Sequence, residues 1–218
     1  MTNTSNHFIE AFIRMNTELF PYSFIVPIIF VIGTLLLVFL CFKMQGIKES
    51  AMLKSFLALI YLTFGIALWI YLRPMAPKLG SFSAVVNWLV SLLFIADAFW
   101  WKKIIFKIPV QKELRFFMFS LMVLGMVVYP IVEVFTGMTW PGMVLFGAGC
   151  PTNTFVIGLL VGSLPGTNKF ILIVISTIAV IMGSHCAWTG ISADWIFFIS
   201  GIVGWAMLAR YWDRNTQQ

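Results

Sequence analysis

The sequence predicts an all-α integral membrane protein: a bundle of seven transmembrane helices with a short amphipathic interfacial helix at its amino terminus. Hydrophobic residues occupy 61% of the 218 positions and charged residues only 10%, whereas soluble domains carry about 25% charged residues. The apolar residues form runs near the roughly 20 residues that cross a bilayer. Because β-barrel strands would be about half as long and alternate in polarity, these runs predict helices.

The chain divides into an N-terminal segment at 1–20, a single transmembrane domain at 21–213 and a C-terminal tail at 214–218. No polar stretch between the apolar runs is long enough for a soluble domain, so the membrane domain is expected to hold the whole function. Its predicted spans are 22–42, 51–72, 82–101, 116–136, 143–164, 169–188 and 194–212.

The N-terminal segment has the pattern of an amphipathic helix. Apolar residues such as Phe8 and Phe12 recur at helical spacing, while Glu10 and Arg14 stand four apart on another face. This pattern predicts a helix that lies on the membrane surface. The alternative is a continuation of the first span that is kinked at Pro21.

The basic residues predict the orientation of the bundle. Eleven of the 14 Lys and Arg residues fall on one side and three on the other, so the positive-inside rule places the amino terminus outside and the carboxyl terminus in the cytoplasm. The larger group is Lys43, Lys48, Lys54, Lys102, Lys103, Lys107, Lys112, Arg115, Lys169, Arg210 and Arg214, and the smaller is Arg14, Arg73 and Lys78. The predicted location is a bacterial inner membrane.

The composition also limits which classes of binding partner are expected. The formal net charge of +6 does not indicate nucleic acid, because the basic residues stand in short loops. The expected partners are the lipid bilayer, a small solute or ion, and a membrane protein or a second copy of the chain. The sequence contains no phosphate-binding glycine loop, serine nucleophile elbow or zinc-binding His-Glu-x-x-His string, and no cofactor is expected.

The most unusual apolar stretch is 146–162, which contains Pro151. Proline has no amide proton and clashes with the carbonyl one turn back, so Pro151 is expected to break the predicted span. The backbone groups that it frees must find partners, because hydrocarbon offers none. The polar side chains at the break either supply those partners or line a cavity: Cys150, Thr152, Asn153 and Thr154.

Polar residues from four predicted spans fall at a similar depth in the outer half of the bundle, at a rise of about 1.5 Å per residue. If their helices face each other, they form a pocket that is open to the outside. The candidate pocket residues are Cys150, Thr152, Asn153, Thr154, Glu133, Asn87, Ser184 and His185. Glu133 lies close enough to the end of its span to reach water instead.

Asp97 is the acid deepest within a predicted span, near the cytoplasmic end. Because it stands about one turn before Lys102 and Lys103, a structural ion pair is the favoured interpretation. The alternative is the inner end of a proton or cation path.

The cysteines allow three interpretations. Cys150, His185 and Cys186 could bind a soft or borderline metal such as copper(I) or zinc, although adjacent helical residues point about 100° apart. A disulfide between Cys150 and Cys186 is a second possibility. Packing of the thiols as small apolar groups is favoured, so no metal is predicted.

Several short strings toward the carboxyl terminus carry a resemblance: Tyr129-Pro130, Phe146-Gly147, Cys150-Pro151-Thr152, Thr154-Phe155, Gly158-Leu159-Leu160, Pro165, Gly183-Ser184 and Ala187-Trp188. On these strings, residues 129–204 resemble a bacterial family of small multi-pass membrane proteins of unknown function. The family pattern has threonine at Asn153 and small residues at His185 and Cys186, which weakens a metal or disulfide at the last two positions. The resemblance implies a membrane bundle and no established activity.

Three functions remain open from the sequence. The favoured one is the binding or transport of a small solute or ion through an outward-facing polar pocket at a broken span. The second is a non-catalytic accessory or assembly subunit of a larger membrane complex, which the glycine-rich helices suit. The third is a membrane enzyme acting on a lipid or quinone. It is disfavoured because Cys150 and His185 lack a recognisable base in the sequence, so no catalytic residue is predicted.

Overall fold

The computed structural model describes residues 3–19 and 25–212, and their regular structure is helical, with no β-strand among them. Pro21 and the predicted tail at 214–218 lie outside these described residues. The helices are α1 Asn3–Arg14, α2 Ile25–Met44, α3 Ile47–Ala67, α4 Pro77–Ala96, α5 Lys112–Val123, α6 Tyr129–Phe135, α7 Gly149–Gly162, α8 Lys169–Trp188 and α9 Asp194–Arg210. The predicted all-α class is therefore confirmed for the described residues. Wider π-helical turns follow α1, α3 and α4 and join α5 to α6, at Met15–Leu19, Leu68–Leu72, Asp97–Trp101 and Leu124–Val128.

Five helical segments are long and apolar enough to cross a bilayer: Ile25–Met44, Ile47–Leu72, Pro77–Trp101, Lys112–Phe135 and Lys169–Trp188. They correspond to predicted spans one, two, three, four and six, which supports a membrane location. The other two candidates are shorter, since α7 has 14 residues and α9 has 17. At about 1.5 Å per residue, α7 rises only about 21 Å against roughly 30 Å of hydrocarbon. A count of seven spans thus stays a prediction.

The short helix α7 is the centre of the bundle. All twelve residues from Pro151 to Gly162 are buried, and the helix packs against α5, α8, α9 and the turn between α5 and α6. Glycine makes the closest approach possible, because a Cβ atom at Gly158 would lie 2.8 Å from the carbonyl oxygen of Met118. The helix therefore meets other helices rather than lipid over most of its surface.

Pro151 lies at the start of a helix and does not interrupt one. Since α7 begins at Gly149, Pro151 falls in the first turn, where backbone amides have no intrahelical partner to lose. Residues 143–148 are not helical, so the helical part of predicted span 143–164 begins at Gly149 and Pro151 does not divide it, while a crossing of the membrane by this segment stays a prediction. Gly147 adopts a φ of 105° before the helix, and its N–H donates to Thr152 Oγ1 at 2.9 Å.

The N-terminal helix α1 is packed onto the bundle by its apolar face. Phe8 and Phe12 are each 7% exposed, and the ring of Phe12 stacks on Phe64 with centroids 6.3 Å apart. Asn16, in the turn after α1, donates from Nδ2 to the carbonyl oxygen of Pro141 at 2.7 Å. A helix therefore occupies Asn3–Arg14 with protein covering its apolar face, and an interfacial helix at the membrane surface stays a prediction.

A buried ion pair joins α3 to the end of α4 at the far end of the bundle from α1. Lys54 Nζ donates to Asp97 Oδ2 at 2.8 Å and to the carbonyl oxygens of Asp97 and Ile104, each at 3.1 Å. Asp97 also accepts hydrogen bonds from the Ile104 N–H and from Asn168 Nδ2, both at 3.0 Å. Both charged side chains are 0% exposed. Every ammonium proton therefore has an acceptor, which a buried pair needs to be stable.

The partner of Asp97 differs from the one that the sequence suggested. Lys102 and Lys103 are exposed, and Lys102 adopts a left-handed conformation, with a φ of 49°, where the chain leaves the helix. Lys54, which was grouped with the basic loop residues, is instead inside the bundle. Asp97 is thus in an ion pair with Lys54 and not with Lys102 or Lys103, and the saturation of this pair with hydrogen bonds favours a structural role over the alternative of a proton or cation path.

Substitution of Lys54 by methionine is expected to lower the free energy of unfolding by about 3–5 kcal/mol or to prevent accumulation, because Asp97 would be left as an unpaired buried charge. The measurement is thermal unfolding of the detergent-solubilised protein. The Lys54→Met/Asp97→Asn double variant should recover part of the loss.

The matched control for this prediction is Lys103→Met, which removes an exposed lysine that follows Asp97 closely in the sequence and should change stability little. Equal losses in the two single variants, or a larger loss for Lys103→Met, would contradict the pairing with Lys54.

Candidate functional site

A cavity of about 60 Å³ lies where α1, α3, α4, α7, α8 and α9 meet, beside the start of α7. Since one water needs at least about 10–15 Å³, the cavity has room for a few waters or one compact organic molecule. Its walls are mostly apolar, and six side chains bring polar atoms or thiols to it: Ser83, Asn87, Cys150, Asn153, Cys186 and Asp194. An apolar cavity with a few converging polar groups is the usual form of a small-molecule site.

Asp194, the first residue of α9, brings a carboxyl group to this cavity although it is only 1% exposed. The Tyr129 hydroxyl donates to Asp194 Oδ1 at 2.7 Å, and the thiols of Cys150 and Cys186 lie beside the same carboxyl. Asp194 is in none of the ion pairs found in the described part of the chain. Because it stands in the first turn of α9, the positive end of the helix dipole still provides favourable electrostatics for its carboxylate.

Glu133 is a second buried carboxyl group behind the cavity, 0% exposed on α6. Its Oε2 accepts a hydrogen bond from the Val144 N–H at 2.9 Å, and within the described residues its Oε1 has no hydrogen-bond partner. Glu133 stands one turn after Tyr129, near enough to Asp194 for electrostatic interaction between the two acids. Both buried carboxyl groups therefore lie at the same end of the bundle.

Asn153 lies at the floor of the cavity. The Tyr61 hydroxyl donates to Asn153 Oδ1 at 2.6 Å, and the Tyr61 ring stacks on Phe94 with centroids 5.9 Å apart. Toward the Lys54–Asp97 end, Leu57 lies one turn from Tyr61 and Ile157 one turn from Asn153, and both are 0% exposed members of one buried apolar cluster. Buried apolar residues therefore lie between the cavity and the Lys54–Asp97 end.

The structure brings part of the predicted pocket together. Cys150, Asn153 and Asn87 line the cavity, and so does Cys186, which was considered only as a metal or disulfide candidate. Asn87 is anchored by a hydrogen bond from its Nδ2 to the carbonyl oxygen of Ser83 at 2.8 Å. These residues come from α4, α7 and α8, so the cavity depends on the packing of three separate helices.

The other predicted pocket residues lie outside the cavity lining. Thr152 accepts the Gly147 N–H, as described above, and Thr154 Oγ1 donates to the carbonyl oxygen of Cys150 at 3.0 Å. Both threonines therefore stabilise the start of α7. Ser184 donates to a carbonyl on its own helix, and His185 is exposed.

The residues considered for a metal are not gathered around one point. His185 is exposed while its neighbour Cys186 is 4% exposed and lies beside Asp194. Within the described ranges, no group of three or more His, Cys, Asp or Glu side chains is arranged to hold a metal ion. Cys150 and Cys186 are free thiols in this structure.

Sequence reasoning missed Asp194, Tyr129 and Tyr61 as site residues. Asp194 stands at the very edge of an apolar run, where an acid is expected to reach water, but Phe8 on α1 and Ile191 in the preceding loop help to enclose it. The apolar face of α1 was the feature of the sequence that could have indicated this burial, because such a face must pack on another surface. The tyrosines gave no signal, because nothing in a single sequence shows which apolar positions face a polar partner.

The chain belongs to a family described as a family of unknown function, DUF6064, whose model matches residues 5–218. The match covers nearly the whole chain and is not limited to residues 129–204, on which the resemblance rested. No curated protein and no solved structure matches the chain.

Replacement of Tyr129 by phenylalanine is expected to destabilise the protein by about 1.5–3 kcal/mol, because the buried Asp194 loses its 2.7 Å donor. Thermal unfolding in detergent measures the change. Tyr71→Phe, at a partly exposed tyrosine, is the control and should have a much smaller effect. In an Asp194→Asn background, Tyr129→Phe should cost less, and an undiminished cost would contradict the pairing.

Proposed function

Because the family has no established activity, we propose the function from the site: the protein binds a small solute in the cavity beside α7 and transports it across the membrane. The observation that carries this proposal is the Asp194 carboxyl, buried at an apolar cavity without a basic partner in the described part of the chain. An ionisable group inside a membrane bundle is costly, and such groups usually belong to substrate or ion pathways.

The form of α7 supports the proposal. Val144, in the non-helical segment before α7, and Gly149, at its first turn, both line the cavity. Irregular backbone inside a membrane protein is tolerated where it is enclosed by protein or lines a cavity. Many transporters place their substrate at the ends of such short helices. Most Lys and Arg residues are predicted to lie toward the opposite end of the helices from the cavity. By the positive-inside rule that end faces the cytoplasm, so we infer that the cavity faces outside.

The seal below the cavity indicates which step transport requires. The Tyr61–Asn153 hydrogen bond and the buried Leu57 and Ile157 lie between the cavity and the opposite end. A solute bound at Asp194 therefore crosses only if α7 and α3 move relative to each other. Exchange between two packed arrangements is how transporters expose one site alternately to each side.

A second candidate function, an accessory subunit, is favoured by α2. Only 22% of its most apolar window is buried, and side chains such as Leu36 and Phe39 are 59% and 61% exposed. Lipid can cover this face as well as a partner protein can. Stable co-purification of one other membrane protein, together with no solute binding, would favour the accessory function over transport.

Thiol accessibility tests the proposed function, because Cys150 and Cys186 line the cavity whereas Cys41 is 0% exposed elsewhere in the bundle. In proteoliposomes, the Cys41→Ala/Cys186→Ala variant retains only Cys150 and should react with a small membrane-impermeant thiol reagent. The extent of modification is read by intact-protein mass spectrometry.

The control is the Cys150→Ala/Cys186→Ala variant, which retains only Cys41 and should react at least tenfold more slowly. If Cys150 stayed as unreactive as Cys41 even at alkaline pH, where more of each thiol is ionised, the cavity would not be open to solutes from the aqueous side, and the transport proposal would fail.

A further inference from the structure

We propose that the solute is a small organic cation, of the alkylammonium class, held by the Asp194 carboxylate and by phenylalanine rings in the same cavity. This inference rests on the proposed function, since it names the class of solute for that site. It follows from three properties of the cavity: its aromatic walls, its charge and its size.

The first property is the aromatic lining, which surrounds the cavity from several helices. The phenylalanines come from α1, α3, α4 and α9: Phe8, Phe12, Phe64, Phe82 and Phe197. Four of them are buried, while Phe82 is 55% exposed and stands at the rim. The face of an aromatic ring carries negative electrostatic potential and attracts a cation within about 6 Å of its centroid. Several rings around a carboxylate can hold a cation that also has apolar surface.

The second property is the charge of the cavity. Among the described residues that line it there is no Lys, Arg or His, and Asp194 is the acid. Glu133 adds a second buried carboxyl group close behind. A bound anion would therefore be repelled, and a neutral solute would leave the carboxylate without a counter-ion. A cation compensates for the burial of this carboxylate.

The polar atoms of the wall also suit an N–H donor. Ser83 Oγ has no hydrogen-bond partner within the described residues, although the side chain is only 7% exposed and lines the cavity. Tyr129 already occupies Asp194 Oδ1 as a donor. A cation that donates its N–H to Ser83 Oγ while its charge lies beside the carboxylate would satisfy the unpaired oxygen, whose burial is otherwise unfavourable.

The third property is size together with the apolar walls, which favour an organic ion over an inorganic one. Calcium needs about six to eight oxygen ligands, and no group of three or more His, Cys, Asp or Glu side chains is arranged to hold a metal ion in the described ranges. A volume of about 60 Å³ suits an ion with only a few heavy atoms. Methylated ammonium ions have this size, a delocalised charge and methyl groups that can pack on phenylalanine.

The test is isothermal titration calorimetry on the purified full-length chain with three compounds that each carry three methyl groups on one central atom. Trimethylammonium is the cation, tert-butanol the neutral analogue and pivalate the anion. We expect trimethylammonium to bind at least tenfold more tightly than tert-butanol, and pivalate not to bind. Equal or tighter binding of tert-butanol or pivalate would overturn the assignment of a cation and leave a small-solute site intact. Binding of none of the three would overturn both this inference and the proposed function.

Two variants assign the recognition to the named residues. Asp194→Asn keeps the shape and removes the charge, so it should weaken trimethylammonium at least tenfold. Glu113→Gln, at an acid that pairs with Arg210 away from the cavity, is the matched control and should leave the affinity unchanged. If Asp194→Asn does not fold, Phe197→Leu serves instead: loss of the ring should weaken trimethylammonium about threefold to tenfold and leave tert-butanol unaffected. Unchanged trimethylammonium binding in either folded variant would overturn the proposal.

Discussion

The enclosure of α7 is the constraint on which the rest of the structure depends. This helix is too short to cross a bilayer alone, and its first turns carry hydroxyl, amide and thiol groups that hydrocarbon cannot satisfy. Protein must therefore surround it, and twelve of its 14 residues are buried by neighbouring helices. The same packing draws the start of α9 and the end of α8 to the start of α7. Asp194 and Cys186 thus reach the cavity as a consequence of how α7 is covered.

Buried ionisable groups have complete hydrogen bonding at one end of the bundle and incomplete hydrogen bonding at the other. Around Lys54 and Asp97, hydrogen bonds satisfy both the ammonium and the carboxylate, as expected of an ion pair that only holds helices together. Asp194 and Glu133 form no ion pair with a basic side chain in the described part of the chain, and one oxygen of Glu133 has no hydrogen-bond partner there. The structural pair of Lys54 and Asp97 has its hydrogen bonds satisfied within the protein. An incompletely satisfied acidic site beside a cavity is instead suited to a ligand that completes it.

The sequence was sufficient for the features that depend on run length and hydropathy. Five predicted spans correspond to helices able to cross a membrane, because about 20 apolar residues have few other stable conformations in lipid. It was insufficient where tertiary contacts decide. Residues 143–148 are apolar enough to extend a span but form irregular backbone, so Pro151 was taken for a kink instead of a helix start. Lys54 and Asp97 are 43 positions apart, and only the packing of α3 against α4 reveals their contact.

The central claim is that protein, and not lipid, covers α7. Lipids carrying a diazirine in the acyl chain can test it, because the carbene formed on irradiation labels residues that contact hydrocarbon. After reconstitution and peptide mapping by mass spectrometry, we expect label on the exposed apolar residues of α2, such as Leu36 and Phe39, and none from Pro151 to Gly162. Labelling of α7 to the same extent as α2 would contradict the enclosed helix and, with it, the cavity that depends on that packing.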